Sequence, residues 1–179
     1  MNAELSQIEI VDFKTIFDSL VNTLKVRYGV TVYIGPVPGP FIGQLDGKDI
    51  WIDFEQNPGN AVFTLAHPFG HTVQWNIDKG LRELALNDVP VIERDFPRIY
   101  KYEREASQYG LALLQEVGAG ELAAWLTNCF GSDWKFLKHC YLTGEKVRFA
   151  LADANTEPLL EALPIPAFTP QRWAIRGAF

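Results

Sequence analysis

Hydrophobic positions recur along this chain with two periods, and the switches between them mark out its elements. Over residues 11–27, Phe13, Ile16, Phe17, Leu20, Val21 and Leu24 follow the i, i+3, i+4, i+7 spacing of an amphipathic helix, with Gly29 as a stop. Two short strand-like runs follow, at 30–34 and 41–45. The connector at 35–40 carries Pro36, Pro38 and Pro40, through which neither a helix nor a sheet ladder continues. Asp46 and Gly47 predict a tight turn into 49–54, where Ile50 and Ile52 alternate with Trp51. The pattern predicts an antiparallel pair or meander, with Trp51 on one face and the two isoleucines on the other.

After a loop at 57–60, whose Asn60 is the expected N-cap, residues 61–75 are apolar nearly all round. Such a helix is a buried one. Residues 76–97 are less regular and end in Asp95 and Pro97, a helix-start signal. Over 98–117 a helical face is marked by Ile99, Tyr102, Ala106, Tyr109, Leu113 and Leu114, and Gly118 and Gly120 break it. A helix at 121–130 is expected next. Gly131 to Asp133 then cap a further helix, which runs to about 142 and stops at Gly144. A last short helix is expected at 153–163. The tail at 163–173 holds Pro164, Pro166 and Pro170, so it is expected to be extended and, from its aromatic and aliphatic content, to pack on the body. Without an internal repeat or a low-complexity linker, 1–179 reads as one domain.

Composition narrows the class. The 179 residues are 47% hydrophobic and 21% charged, the balance of a soluble globular domain. A net charge of −6 gives no basic field for nucleic acid or an anionic membrane, so neither is expected as a partner. No apolar run approaches the ~20 residues that span a bilayer. The first residues lack the basic segment and apolar core of a signal peptide, and a cytoplasmic location is expected. Cys129 and Cys140 have no C-x-x-C spacing and are expected to be reduced thiols. His139 and Cys140 are adjacent, hence on different helix faces, and make a poor catalytic pair. Trp173 is the tryptophan expected to line a cleft.

The chemistry centres on the buried helix. His67 and His71 stand four apart, on one helix face, where two imidazoles can grip one metal ion. The same pair also suits a hydrogen-bonded core position. Zinc held this way needs a third protein ligand and an open position for water. Glu103 and Glu105 are the candidates, although acids near a helix start are also favoured by its dipole.

The stretch Phe63-Thr-Leu-Ala-His67-Pro68-Phe69-Gly70-His71 resembles the F-T-x-A-H-E-x-G-H motif of the ImmA/IrrE family of zinc metallopeptidases. Residues 103–114, beginning Glu103-Arg104-Glu105-Ala106-Ser107, resemble that family's E-x-E-A-N-x-F-A-x-x-L-L helix. The similarity covers about residues 10–145, with 146–179 as a C-terminal extension. It implies an α+β, zincin-like fold, a small antiparallel or mixed sheet flanked by helices with the histidine helix central. It also implies zinc on His67, His71 and Glu103 (Glu105 as second choice), and Ser107, in the place of a common Asn, orienting a histidine.

Pro68 occupies the position of the glutamate that activates the metal-bound water. Proline has no acid–base capacity, so the ordinary mechanism loses its base. It also removes a helix donor and crowds the Thr64 carbonyl, and the resulting kink is expected to shift His71 relative to His67. Three functions follow. The first is a degenerate metallopeptidase-like module, a pseudoenzyme acting in regulation through a protein or peptide partner such as a helix-turn-helix regulator. The second is an active zinc hydrolase with a base from elsewhere, Glu105 or more weakly Glu116. The third is a metal-free interaction domain.

Overall fold

Asp12 begins the first helix, its carboxylate accepting from the Thr15 N–H at 3.1 Å and the Thr15 hydroxyl at 2.7 Å. The computed structural model describes residues 11–85, 95–145, 156–174 and 176–178. Helix α1 (Phe13–Thr23) runs on through a π-helical turn, Leu24–Tyr28, and stops at Gly29, whose φ of 67° is the left-handed conformation that glycine adopts without strain. Leu20 and Leu24 are fully buried.

Strands β1 (Thr31–Gly35), β2 (Gly43–Leu45), β3 (Asp49–Asp53) and β4 (Gly177–Ala178) form one sheet in the order β1-β3-β2-β4. The sheet is mixed: β2 and β3 form the expected antiparallel pair, whereas β1 pairs with β3 in parallel, which corrects the meander alternative. The proline-rich connector is no tight turn. It delivers β2 one strand's width away from β1, and the turn at Asp46 to Lys48 brings β3 back into the gap. There the Asp46 carboxylate accepts from the backbone N–H of Lys48 and Asp49 at 3.0 and 2.7 Å. Ile50 and Ile52 are buried in the core, whereas Trp51 stacks on Tyr33 across the ladder.

Helix α2 (Pro58–Ile77) lies against the sheet. Its N-cap is Asn57, which accepts from the Asn60 N–H at 2.8 Å, and not Asn60 as the composition of the loop suggested. Pro58 decides this, because its fixed φ and missing donor suit the first helical position. Pro68 sits inside α2, and the helix continues through it unbroken. Of the 15 residues from Val62 to Asn76, Phe63 and Asn76 alone are not buried.

A short helix α3 (Lys79–Ala85) follows, then α4 (Phe96–Glu116). The 3-10 turn Gly120–Leu122 leads into α5 (Ala123–Thr143), a single helix where two were expected. Gly131 lies in its middle and is buried, so packing overrides the weak helix propensity of glycine. Gly144 ends it with a φ of 72°.

The expected helix at 153–163 is absent over 156–163; residues 153–155 lie outside those described. The backbone donors there go elsewhere: Leu160 N–H to Thr127 Oγ1 at 3.0 Å, and Leu163 N–H to the Gln108 carbonyl at 3.3 Å. The extended segment lies along α4 and α5, with Leu160 buried and Phe168 stacked on Tyr28.

What fixes the site is how closely α2 and α4 cross. A Cβ at Gly70 would stand 1.9 Å from the Ala106 carbonyl oxygen, and one at Gly110 would stand 2.6 Å from that of Ala66. Gly70→Ala is therefore expected to cost more than the ~1–3 kcal/mol of ordinary overpacking, because rigid backbone is met on the far side. Gly59, on the same helix, meets nothing closer than 3.5 Å, and Gly59→Ala is expected to be neutral or stabilising by up to ~1 kcal/mol. Urea unfolding of both variants checks the contrast.

Candidate metal centre

One turn of α2 separates His67 from His71, and the close crossing sets Glu103 of α4 opposite both. His67 Nε2 and His71 Nε2 lie 3.1 Å apart, and Glu103 Oε2 lies 3.2 Å from the first and 3.1 Å from the second. The kink expected at Pro68 thus does not separate the histidines. Zinc bound at 2.0–2.1 Å by four N or O atoms spaces them about 3.3 Å apart, and this near-equilateral triangle fits one face of that tetrahedron. The three residues are between 0% and 3% exposed. A buried His67, His71 and Glu103 cluster that could hold a metal ion is therefore present.

The partners on the outer side of each imidazole prepare it as a ligand. The Gln74 amide nitrogen donates to the Tyr102 carbonyl at 2.8 Å, which turns its oxygen toward His71. His71 Nδ1 lies 2.9 Å from that oxygen and must be the protonated nitrogen. In neutral His71 the lone pair is then on Nε2, facing the triangle. His67 Nδ1 lies 2.8 Å from the Ser107 hydroxyl, which can accept its proton in the same way. Phe63 stacks on His67 and Tyr102 lies over His71.

The third corner is anionic. Without a metal, Nε2–H groups of the two imidazoles face Glu103. Burial by itself would raise its carboxyl, but the charge of His71 when protonated and the hydrogen bonds from both rings outweigh it and pull the group down to about 2. A metal ion would take the place of those protons. Its other oxygen accepts from the Tyr141 hydroxyl at 3.2 Å. Burial, and next the charge of Glu103, pushes the Tyr102 and Tyr141 phenols well above their ordinary value, so both stay protonated at neutral pH. Two imidazole nitrogens and a carboxylate oxygen converging at a buried point need shared protons or a cation between them. A metal ion could take that place.

Pro68 is buried beside this triangle and offers no proton-transfer group. Glu105 stands on another face of α4, paired with Lys101 at 3.7 Å. Glu116 is taken up at the far end of the helix by the Tyr28 hydroxyl at 2.7 Å and Arg27 at 3.2 Å. His139 pairs with Glu145 at 3.3 Å, and the Cys129 thiol is pushed up to about 12 by burial and then by Asp133.

Gln74, Tyr102 and Tyr141 were not anticipated from the sequence. Gln74 had a readable signal, standing three residues past His71 and so on the same face. Tyr141 had none, since only the packing of α5 brings it to Glu103.

No family model and no curated protein matches this chain. Among solved structures, a Mycobacterium tuberculosis transcriptional regulator is similar at 19% identity, over 69% of this chain and 36% of that one, with a TM-score of 0.38. The chain thus spans about a third of that regulator's length.

Gln74→Leu removes the acceptor that fixes the His71 tautomer, and is expected to weaken zinc binding by about 10–100-fold while leaving the helical signal intact. Calorimetric zinc titration alongside circular dichroism reads both.

Proposed function

We propose that this chain is a degenerate metallopeptidase-like protein of the zincin, ImmA/IrrE-like kind, which binds one zinc ion on His67, His71 and Glu103 and has lost ordinary peptidase chemistry. The observation that supports it most is the side-by-side placement of an intact three-atom ligand triangle and a buried proline in the position of the base. The ligand set, two histidines and a glutamate, is that of zinc sites that activate water. When bound, the ion would act as a Lewis acid toward a ligand in its fourth position.

The chain's own residues do the rest. Gln74 and Ser107 orient the imidazoles, Tyr141 holds the outer oxygen of Glu103, and the apolar walls exclude water. Among the described residues, the Tyr102 and Tyr141 phenols stay protonated at neutral pH and Pro68 carries no proton acceptor. General acid–base catalysis is worth about 10²–10⁴-fold, which is the order of the deficit expected against a peptidase that retains its glutamate. The role that fits is a binding or regulatory module, engaging a protein or peptide partner; the family resemblance makes a helix-turn-helix regulator the partner to test.

Protein prepared without added metal and titrated with zinc is expected to take up one equivalent, with His71→Ala and Glu103→Gln abolishing that uptake. A chain that takes up none would remove the metal reading altogether. In the zinc-loaded chain, Pro68→Glu restores an acid beside the ion and is expected to raise hydrolysis of an unstructured protein substrate by at least about 10²-fold over a near-zero wild-type rate. Wild-type hydrolysis that Pro68→Glu leaves unchanged, and His71→Ala abolishes, would show a working zinc peptidase with another base.

A further inference from the structure

The sheet edge formed by β2 holds a segment of this chain in the way a peptide-binding groove holds its ligand. Gly177 and Ala178 pair antiparallel with Leu45 and Gln44, a ladder of two residues. Ahead of it, Arg172 reaches the turn between β2 and β3, its Nε 3.2 Å from Asp46 Oδ2 and its Nη2 bonded to Asp49 Oδ2. Both carboxylates are buried, at 3% and 1% exposure, while the arginine side chain is 62% exposed. The acids therefore belong to the body and the cation is laid on from outside. The next residue, Trp173, fills a slot between the Arg82 guanidinium, 3.7 Å from its ring, and Gly47. A Cβ on Gly47 would stand 2.2 Å from the indole, so the missing side chain is what makes the slot. Its backbone N–H donates to the Asp46 carbonyl at 2.8 Å.

This occupant fits the groove incompletely. Among the described residues, Asp49 Oδ1, Trp173 Nε1 and Arg82 Nε are buried without a hydrogen-bond partner, each a cost that a better ligand would remove. The chain before it is held independently, through Leu160 and Leu163 on Thr127 and Gln108 and through Phe168 on Tyr28. Residues 171–174 and 176–178 can therefore leave without stripping the rest of the extended segment from the body.

We propose that the β2 edge, with Asp46, Asp49 and the Gly47–Arg82 slot, is a docking site for an extended peptide segment of a partner protein bearing adjacent arginine and aromatic residues. Residues 171–178 are its displaceable intramolecular ligand. Backbone pairing to the edge supplies affinity, and the acid pair and aromatic slot supply selectivity. Tethering holds the internal ligand at an effective concentration of about millimolar, so a competitor binds weakly until the anchor is loosened. This inference is independent of the metal centre, and its failure leaves that reading untouched.

The test uses the full chain and a fluorescent synthetic peptide of residues 169–179, read by anisotropy, with hydrogen exchange at 171–178. Arg172→Gln in the chain is expected to speed exchange there and to raise peptide affinity at least tenfold over wild type. The same peptide carrying Arg172→Gln is expected to bind at least tenfold more weakly. A loosened chain that binds neither peptide, or both equally, overturns the proposal, as does unchanged exchange. Trp173→Ala serves as the second loosened chain, keeping the ion pair; if both variants unfold, the segment is part of the fold and the proposal fails. Wild-type chain that dimerises with concentration as exchange at 171–178 changes would replace the partner protein by a second copy.

Discussion

The close crossing of α2 and α4 is the contact on which the candidate site depends. Gly70 lies against the Ala106 backbone and Gly110 against that of Ala66, so the helices approach to a distance that no Cβ would permit. At that distance Glu103 needs no extended reach to meet both imidazoles, and Ser107, one turn further on, meets the outer nitrogen of His67. Any increase in the separation would open the triangle at its carboxylate corner first. Small residues at the crossing thus set the geometry of the His67, His71 and Glu103 cluster although none of them belongs to it.

Charge inside this crossing is arranged for a cation. A buried carboxylate held in its ionised form, two imidazole nitrogens turned inward and aromatic side chains on His67 and His71 give a buried, polar point. The orientation is imposed from outside the triangle. Gln74 is itself aimed by the Tyr102 carbonyl, so the tautomer of His71 follows from a backbone atom of α4. Tyr102 does this twice over, since its hydroxyl also accepts from the Trp75 indole at 2.8 Å.

Pro68 stands inside a buried helix beside His67 in sequence, where the backbone has to accommodate it. The scaffold tolerates it, because α2 is enclosed by the sheet and α4, and packing holds the helix where propensity alone would break it. Thr72 adds a hydroxyl bond to the Pro68 carbonyl at 3.1 Å. Glu105, two residues past Glu103, faces elsewhere and pairs with Lys101. The arrangement of the three candidate ligands is a matter of helix packing, whereas a proton-transfer role would belong to a single side chain.

How much was legible in the sequence follows the range of the interactions involved. The apolar period placed α1, α2 and α4, and glycines with positive φ ended helices at Gly29 and Gly144, because these are decided within a few residues. The i, i+4 histidines and the acid of Glu103 were readable for the same reason. The tertiary structure decided the rest. The parallel pairing of β1 with β3 depends on where a proline-rich connector delivers the chain, and the continuity of α5 through Gly131 on what packs against it. Tyr141 on Glu103 and Arg172 on Asp46 and Asp49 join residues 38, 126 and 123 positions apart. Local sequence fixes which groups are available and on which helix face they stand; only the packed chain sets which of them share a buried point, since that is settled by the shape of surfaces distant in sequence.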